Sequence, residues 1–170
     1  MNRGLLMTVD GRNTVAKQDA VQKQDAVAKQ ALAKPDEISD GENVVLLVDD
    51  NALQATTRQA ILQRSGYTVY IALEPAPALL KIRQNGFPEP IGAVITDHVM
   101  PQMSGSQFVR DLRQTHPDLP VMVLSGMDEA EQEYEGLNVR FLRKPLAPGL
   151  LLLNLQALLQ AVESEGEGVA

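Results

Sequence analysis

The sequence predicts a doubly wound α/β domain, a five-stranded parallel sheet with helices on both faces. Three observations predict it. Short continuous apolar runs, rich in β-branched residues, recur along the chain and read as strands buried on both faces. Stretches of helical pattern separate them, punctuated by Gly and Pro. Finally, four of the five runs end in polar or charged groups: Asp49-Asp50, Asp97, Ser125 and Lys144. In an open parallel sheet, chemistry gathers just beyond the carboxyl ends of the strands.

The domain is expected over residues 43–162. Val44-Val45-Leu46-Leu47-Val48 is the first strand. A helix over about 51–65 follows, with Leu53, Thr57, Ala60 and Ile61 on its inner face, and Gly66 stops it. Strand two covers 67–72, and Pro75 suits the first turn of a helix running to about 85. Ala93-Val94-Ile95-Thr96-Asp97 is strand three, after which Pro101 and Gly105 force a loop. Helix three spans about 106–115 with Phe108 and Leu112 inward. Strand four, 121–124, ends at Ser125-Gly126, and a short helix over 129–135 leads to strand five at 138–142. Pro148 opens a last helix reaching about residue 162. Its Leu151, Leu152, Leu155, Leu158, Leu159 and Val162 form one apolar arc, while Leu150, Leu153, Ala157 and Ala161 form an opposite one.

Two flanking segments are expected outside the domain. Residues 1–42 read as an extension, partly helical or a disordered linker, in which Lys-Gln-Asp-Ala-Val recurs every six residues. That period turns each successive valine by about 240° around a helix, so no apolar stripe forms. Residues 163–170 read as an acidic disordered tail.

Composition narrows the function classes. The net charge is −7, and there is neither Cys nor Trp. Disulfides, thiolate chemistry and zinc–thiolate sites are excluded. An acidic domain without a basic stripe argues against nucleic acid as a partner. No apolar run is long enough to span a bilayer, so no membrane role and a cytoplasmic location are expected.

The strand ends carry the chemistry. With the flavodoxin-like strand order 2-1-3-4-5, strands one, three, four and five are contiguous, and all the polar ends meet on one rim. Three carboxylates held close repel one another unless a cation neutralises them. Hard oxygen ligands with open positions suit Mg²⁺. Lys144 supplies a point charge and Ser125 a hydroxyl, both suited to a phosphoryl group, and a carboxylate can itself accept phosphoryl as an acyl phosphate. Taken singly, Asp50 or Asn51 is a helix cap, Ser125 another, and Lys144 a surface charge. Their joint placement points instead to a site.

Val48-Asp49-Asp50-Asn51, Ile95-Thr96-Asp97 with Met100-Pro101 and Gly105, Val123-Leu124-Ser125-Gly126 and Phe141-Leu142-Arg143-Lys144-Pro145 together resemble the receiver domain of two-component response regulators. The resemblance covers residues 43–162. It implies that Asp97 accepts a phosphoryl group from a histidine kinase or histidine phosphotransfer protein. Asp50, Asp97 and the Val99 backbone carbonyl would bind Mg²⁺, with Asp49 acting through a water. Ser125 and Lys144 would hold the phosphoryl oxygens, and Ser125 with Phe141 would form the switch pair. Phe141 stands where many relatives carry tyrosine and has no hydroxyl to bond. The Lys144-Pro145 bond is expected to be cis. The chain is then no enzyme beyond its own phosphorylation and dephosphorylation. Its output is expected through the fourth helix, fifth strand and last helix, toward a downstream protein or a second copy. The alternative is the C-terminal receiver of a hybrid histidine kinase. A dehalogenase-like phosphatase would need an aspartate where Val99 stands, and a nucleotide module would need a glycine loop after strand one.

Overall fold

The computed structural model describes residues 43–166. Their elements are β1 (Val44–Val48), α1 (Ala52–Arg64), β2 (Thr68–Ala72), α2 (Pro75–Arg83), β3 (Ala93–Asp97), α3 (Gly105–Arg113), β4 (Val121–Ser125), a 3-10 helix (Asp128–Tyr134), β5 (Arg140–Arg143) and α4 (Pro148–Gly166). The sheet order is β2-β1-β3-β4-β5, and every pair is parallel. Both match the expectation.

Because side chains alternate along a strand, each central strand feeds two cores. Val45, Leu47, Ile95, Met122 and Leu124 pack under α1 and α4. Leu46, Val48, Val94, Val121 and Val123 pack under α2 and α3. Two buried faces explain why these strands are apolar at every position. The register aligns their ends, with Val48 opposite Thr96, Asp97 opposite Leu124, and Ser125 opposite Arg143.

The inner face expected for α1 is wrong. Ala55 and Leu62 are buried, Ile61 is half-buried, Thr57 and Ala60 are exposed, and Leu53 is 76% exposed. The helix has too few apolar residues to set its own rotation. Its entry from β1, fixed by the Asn51 cap, decides the face instead. By contrast α4, dense in leucine, buries Leu151, Leu152, Leu155 and Leu159 as expected, with Leu158 packed against the same core.

Element ends differ in ways the backbone explains. Asn85 (φ 49°) turns left-handed and ends α2 before its expected limit. Asn138 (φ 48°) does the same before β5, which therefore starts at Arg140. Arg113 clamps that turn, donating to the Leu137 and Asn138 carbonyls at 2.8 Å each. The short fourth helix is a 3-10 helix. The last helix continues to Gly166, into the stretch expected as tail, because glutamates favour helix and no breaker intervenes. Residues 1–42, expected as an extension, and 167–170 of the expected tail lie outside the described residues.

Candidate functional site

The site forms where the rim turns from strand to helix. Just past β1, Asp49 is fully buried, and its Oδ1 accepts the Asn51 N–H at 2.9 Å. Asn51 in turn caps α1, accepting the Gln54 N–H at 3.1 Å. This closed turn leaves Asp50 exposed at the mouth. Asp97, the last residue of β3, is nearly buried. Its Oδ1 accepts the His98 N–H at 2.7 Å, and its Oδ2 accepts from Lys144 Nζ at 2.7 Å. Lys144 is aimed by the end of β5, where its own N–H bonds the Ser125 carbonyl at 2.7 Å and the Lys144-Pro145 peptide is cis.

Carboxylate oxygens of Asp49, Asp50 and Asp97 lie within 4.8 Å of one another. Three hard oxygen donors, with one side open to solvent at Asp50, fit a divalent cation of the Mg²⁺ kind. The other expected residues are less fully gathered. The Ser125 hydroxyl is turned into its own loop, accepting the Met127 N–H at 3.0 Å and donating to the Met127 carbonyl at 3.4 Å. Val99 and Met127 are 58% and 54% exposed. Phe141 is half-buried against Tyr134, with ring centroids 5.7 Å apart.

Sequence reasoning missed the side-chain contacts of Arg58, Gln54 and Tyr134. Arg58 Nη1 donates to Asp49 Oδ2, while its Nη2 donates to Gln54 Oε1 at 2.8 Å. Gln54 Oε1 also lies 3.5 Å from Lys144 Nζ. The spacing of Gln54 and Arg58 by four was a readable signal, since it puts both on one face of α1. Gly105, expected to force the loop, lies against the backbone of Asp97 and His98. Behind the site, the Tyr134 hydroxyl meets His98 Nδ1 at 2.9 Å.

Burial pushes the Asp49 carboxyl above the ordinary carboxylate value, and the Asp97 charge adds to this. The Asn51 N–H, Arg58 and Lys144 oppose it. A raised folded-state pKa favours the fold while the carboxyl is protonated, a contribution lost as pH rises through that value. Arg58→Leu strands the ionised form in the interior. It is expected to cost about 2 kcal/mol at neutral pH, below the usual range for buried pairs because Arg58 is partly exposed. The loss should shrink as the solution is acidified and Asp49 takes up its proton. Urea unfolding of both proteins at neutral and acidic pH measures this, and an equal loss at both would contradict it.

The model of the response regulator receiver domain matches residues 45–156. The response regulator MprA of Mycobacterium ulcerans (strain Agy99) is 33% identical over 129 residues, covering 74% of this chain and 54% of that protein. MprA of Mycobacterium sp. (strain KMS) is 34% identical over 119 residues, covering 68% and 50%. The chain thus spans about half the length of the curated relatives it matches. Among solved structures, the chemotaxis response regulator CheY4 of Vibrio cholerae has a TM-score of 0.60 at 30% identity, over 68% of this chain and 97% of that one. A CheY-like receiver domain protein from Methanospirillum hungatei JF-1 shares the fold with a TM-score of 0.65 at 24% identity, over 72% and 97%.

Proposed function

Since the chain belongs to the response regulator receiver domain family of two-component signalling, we propose that it accepts a phosphoryl group on Asp97 from a histidine kinase or histidine phosphotransfer protein. The observation that carries this reading is the 2.7 Å pair of Asp97 and Lys144 beside the Asp49 and Asp50 carboxylates. An Asp97 oxygen attacks phosphorus, an acyl phosphate forms, and the bond from phosphorus to the donor imidazole breaks. Lys144, already at the acceptor, balances charge on the incoming oxygens. The Ser125 hydroxyl leaves its loop bond to reach one of them, and Phe141 follows it inward as the second half of the switch. Asp50, Asp97 and the Val99 carbonyl would hold Mg²⁺, with Asp49 helping through a water. The ion, when bound, neutralises oxygen charge during transfer. On this reading the chain is not an enzyme toward other substrates.

The test is incubation with acetyl phosphate and Mg²⁺, followed by mapping of the label by mass spectrometry. One phosphoryl group on Asp97 is expected, and a label on another residue overturns the assignment.

Output on this reading passes through protein contact at the 3-10 helix, β5 and α4. Leu150 and Leu153 support it, since both stay more than a third exposed (37% and 38%) on the outer side of α4. Glu129, Glu131 and Glu135 on the 3-10 helix and just past it are exposed and favour a basic rim on the partner. Leu153→Glu should abolish association with a partner or a second copy while leaving uptake of phosphate unchanged. Sedimentation with and without beryllofluoride decides, and unchanged association removes this face from consideration. No helix among the described residues is long and apolar enough to cross a membrane. The hybrid-kinase alternative gains no support from the curated relatives described above, which are response regulators.

A further inference from the structure

Tyr134 ends the 3-10 helix fully inside the protein, and His98 is buried beside it. Their rings meet edge to face at 5.7 Å, and the Tyr134 hydroxyl bonds His98 Nδ1 at 2.9 Å. Burial, together with the Glu133 and Asp97 charges, pushes the phenol well above its ordinary value, so it stays protonated. With the His98 proton on Nε2, Nδ1 accepts from that hydroxyl and Nε2–H faces Glu133 Oε1 at 3.7 Å. Glu133 is held by the Ser106 hydroxyl, which donates to its Oε2 at 2.6 Å.

The other end of this chain of contacts is the acceptor. The His98 N–H is shared between Asp97 Oδ1 at 2.7 Å and the Leu124 carbonyl at 2.9 Å. The His98 carbonyl accepts the Gly105 N–H at 2.8 Å. His98 is therefore pinned at its backbone to Asp97 and at its ring to the last two residues of the 3-10 helix. Tyr134 also packs on Phe141, the switch residue that lacks a hydroxyl.

We propose that His98 and Tyr134 form a second switch route, carrying the state of Asp97 to the 3-10 helix beside the Ser125–Phe141 pair. This rests on Asp97 being the phosphoacceptor. A phosphoryl group on Asp97 changes the carboxylate that the His98 N–H bonds. The backbone of His98 readjusts, and the Tyr134 hydroxyl follows the ring. Both are positioning residues and neither touches the phosphoryl group through its side chain. A plain core hydrogen bond would hold the fold equally well but would not respond to the acceptor.

The test uses amide and ring-nitrogen NMR spectra of the full chain with Mg²⁺, with and without beryllofluoride, alongside acetyl phosphate labelling. In the wild type, the His98 ring nitrogens and the amides of residues 129–135 should shift on adding beryllofluoride. Tyr134→Phe keeps the ring on Phe141 and loses only the hydroxyl. It should label normally, yet the shifts over 129–135 should be largely lost. His98→Leu should show the same loss in those amides, and the double variant no further loss. Unmoved His98 ring nitrogens in the wild type would overturn the proposal without any variant. So would a Tyr134→Phe protein that binds beryllofluoride and shifts like the wild type. A wild type that takes no label overturns the phosphoacceptor reading itself, and the missing label tells that failure apart.

Discussion

Asp97→Asn is expected to carry no phosphoryl group after incubation with acetyl phosphate and Mg²⁺, where the wild type is expected to carry one. The carboxylate oxygens of Asp97 are the acceptors of two short bonds, from the His98 N–H and from Lys144 Nζ, both at 2.7 Å. A carboxamide keeps an oxygen that can accept one of these, so the rim should still assemble and the protein should still fold. What it loses is the negative oxygen proposed to attack phosphorus. Asp50→Asn is the informative contrast. Asp50 is exposed at the mouth and meets Asp97 only as a neighbour in the carboxylate group. Its substitution removes one ligand charge, so labelling should slow at low Mg²⁺ and recover as Mg²⁺ is raised. Intact mass measured across a Mg²⁺ titration separates the two. A label persisting on the Asp97→Asn protein would mean that another group is the acceptor.

Gly105→Ala should be the most damaging substitution of a residue with no functional group. A Cβ there would press on the Asp97 carbonyl oxygen, lie 2.9 Å from His98 Cα and lie 2.7 Å from the Tyr134 hydroxyl. Two of these three are backbone atoms of the strand end and loop that hold Asp97, so they cannot rotate away. The expected loss is about 3 kcal/mol, the upper end for overpacking. For a domain of this size that lowers the melting temperature by on the order of 10 °C. Gly126→Ala serves as the control, because a Cβ there meets nothing within 4 Å. It should stay within about 0.5 kcal/mol of the wild type. Calorimetry on the pair decides. If both variants melted alike, the tight approach of α3 to the end of β3 would not be real.

The strands, their order and the chemistry at their ends were legible from the chain alone. Runs such as Val44–Val48 and Val121–Ser125 are apolar almost throughout because both faces of the sheet are covered, and that signal is local. The inner arc of α4 was legible for the same reason, since its leucines are dense enough to define one face. The face of α1 was not, because two buried residues, Ala55 and Leu62, cannot outvote an exposed Leu53 in a pattern of charges and amides. There the rotation follows from how the helix leaves β1. The deeper surprises are all contacts between separated parts of the chain. Arg58 reaches back nine residues to Asp49, and His98 meets Tyr134 across thirty-six. Gly105 read as a loop breaker, whereas its tight constraint comes from the carbonyl of Asp97 and the phenol of Tyr134. Periodicity and strand-end chemistry belong to neighbouring residues, so the sequence alone determines the sheet and the polar groups at its rim. Which groups pair with Asp97 depends on side chains brought together only when the helices close over the rim, and that the tertiary structure decides.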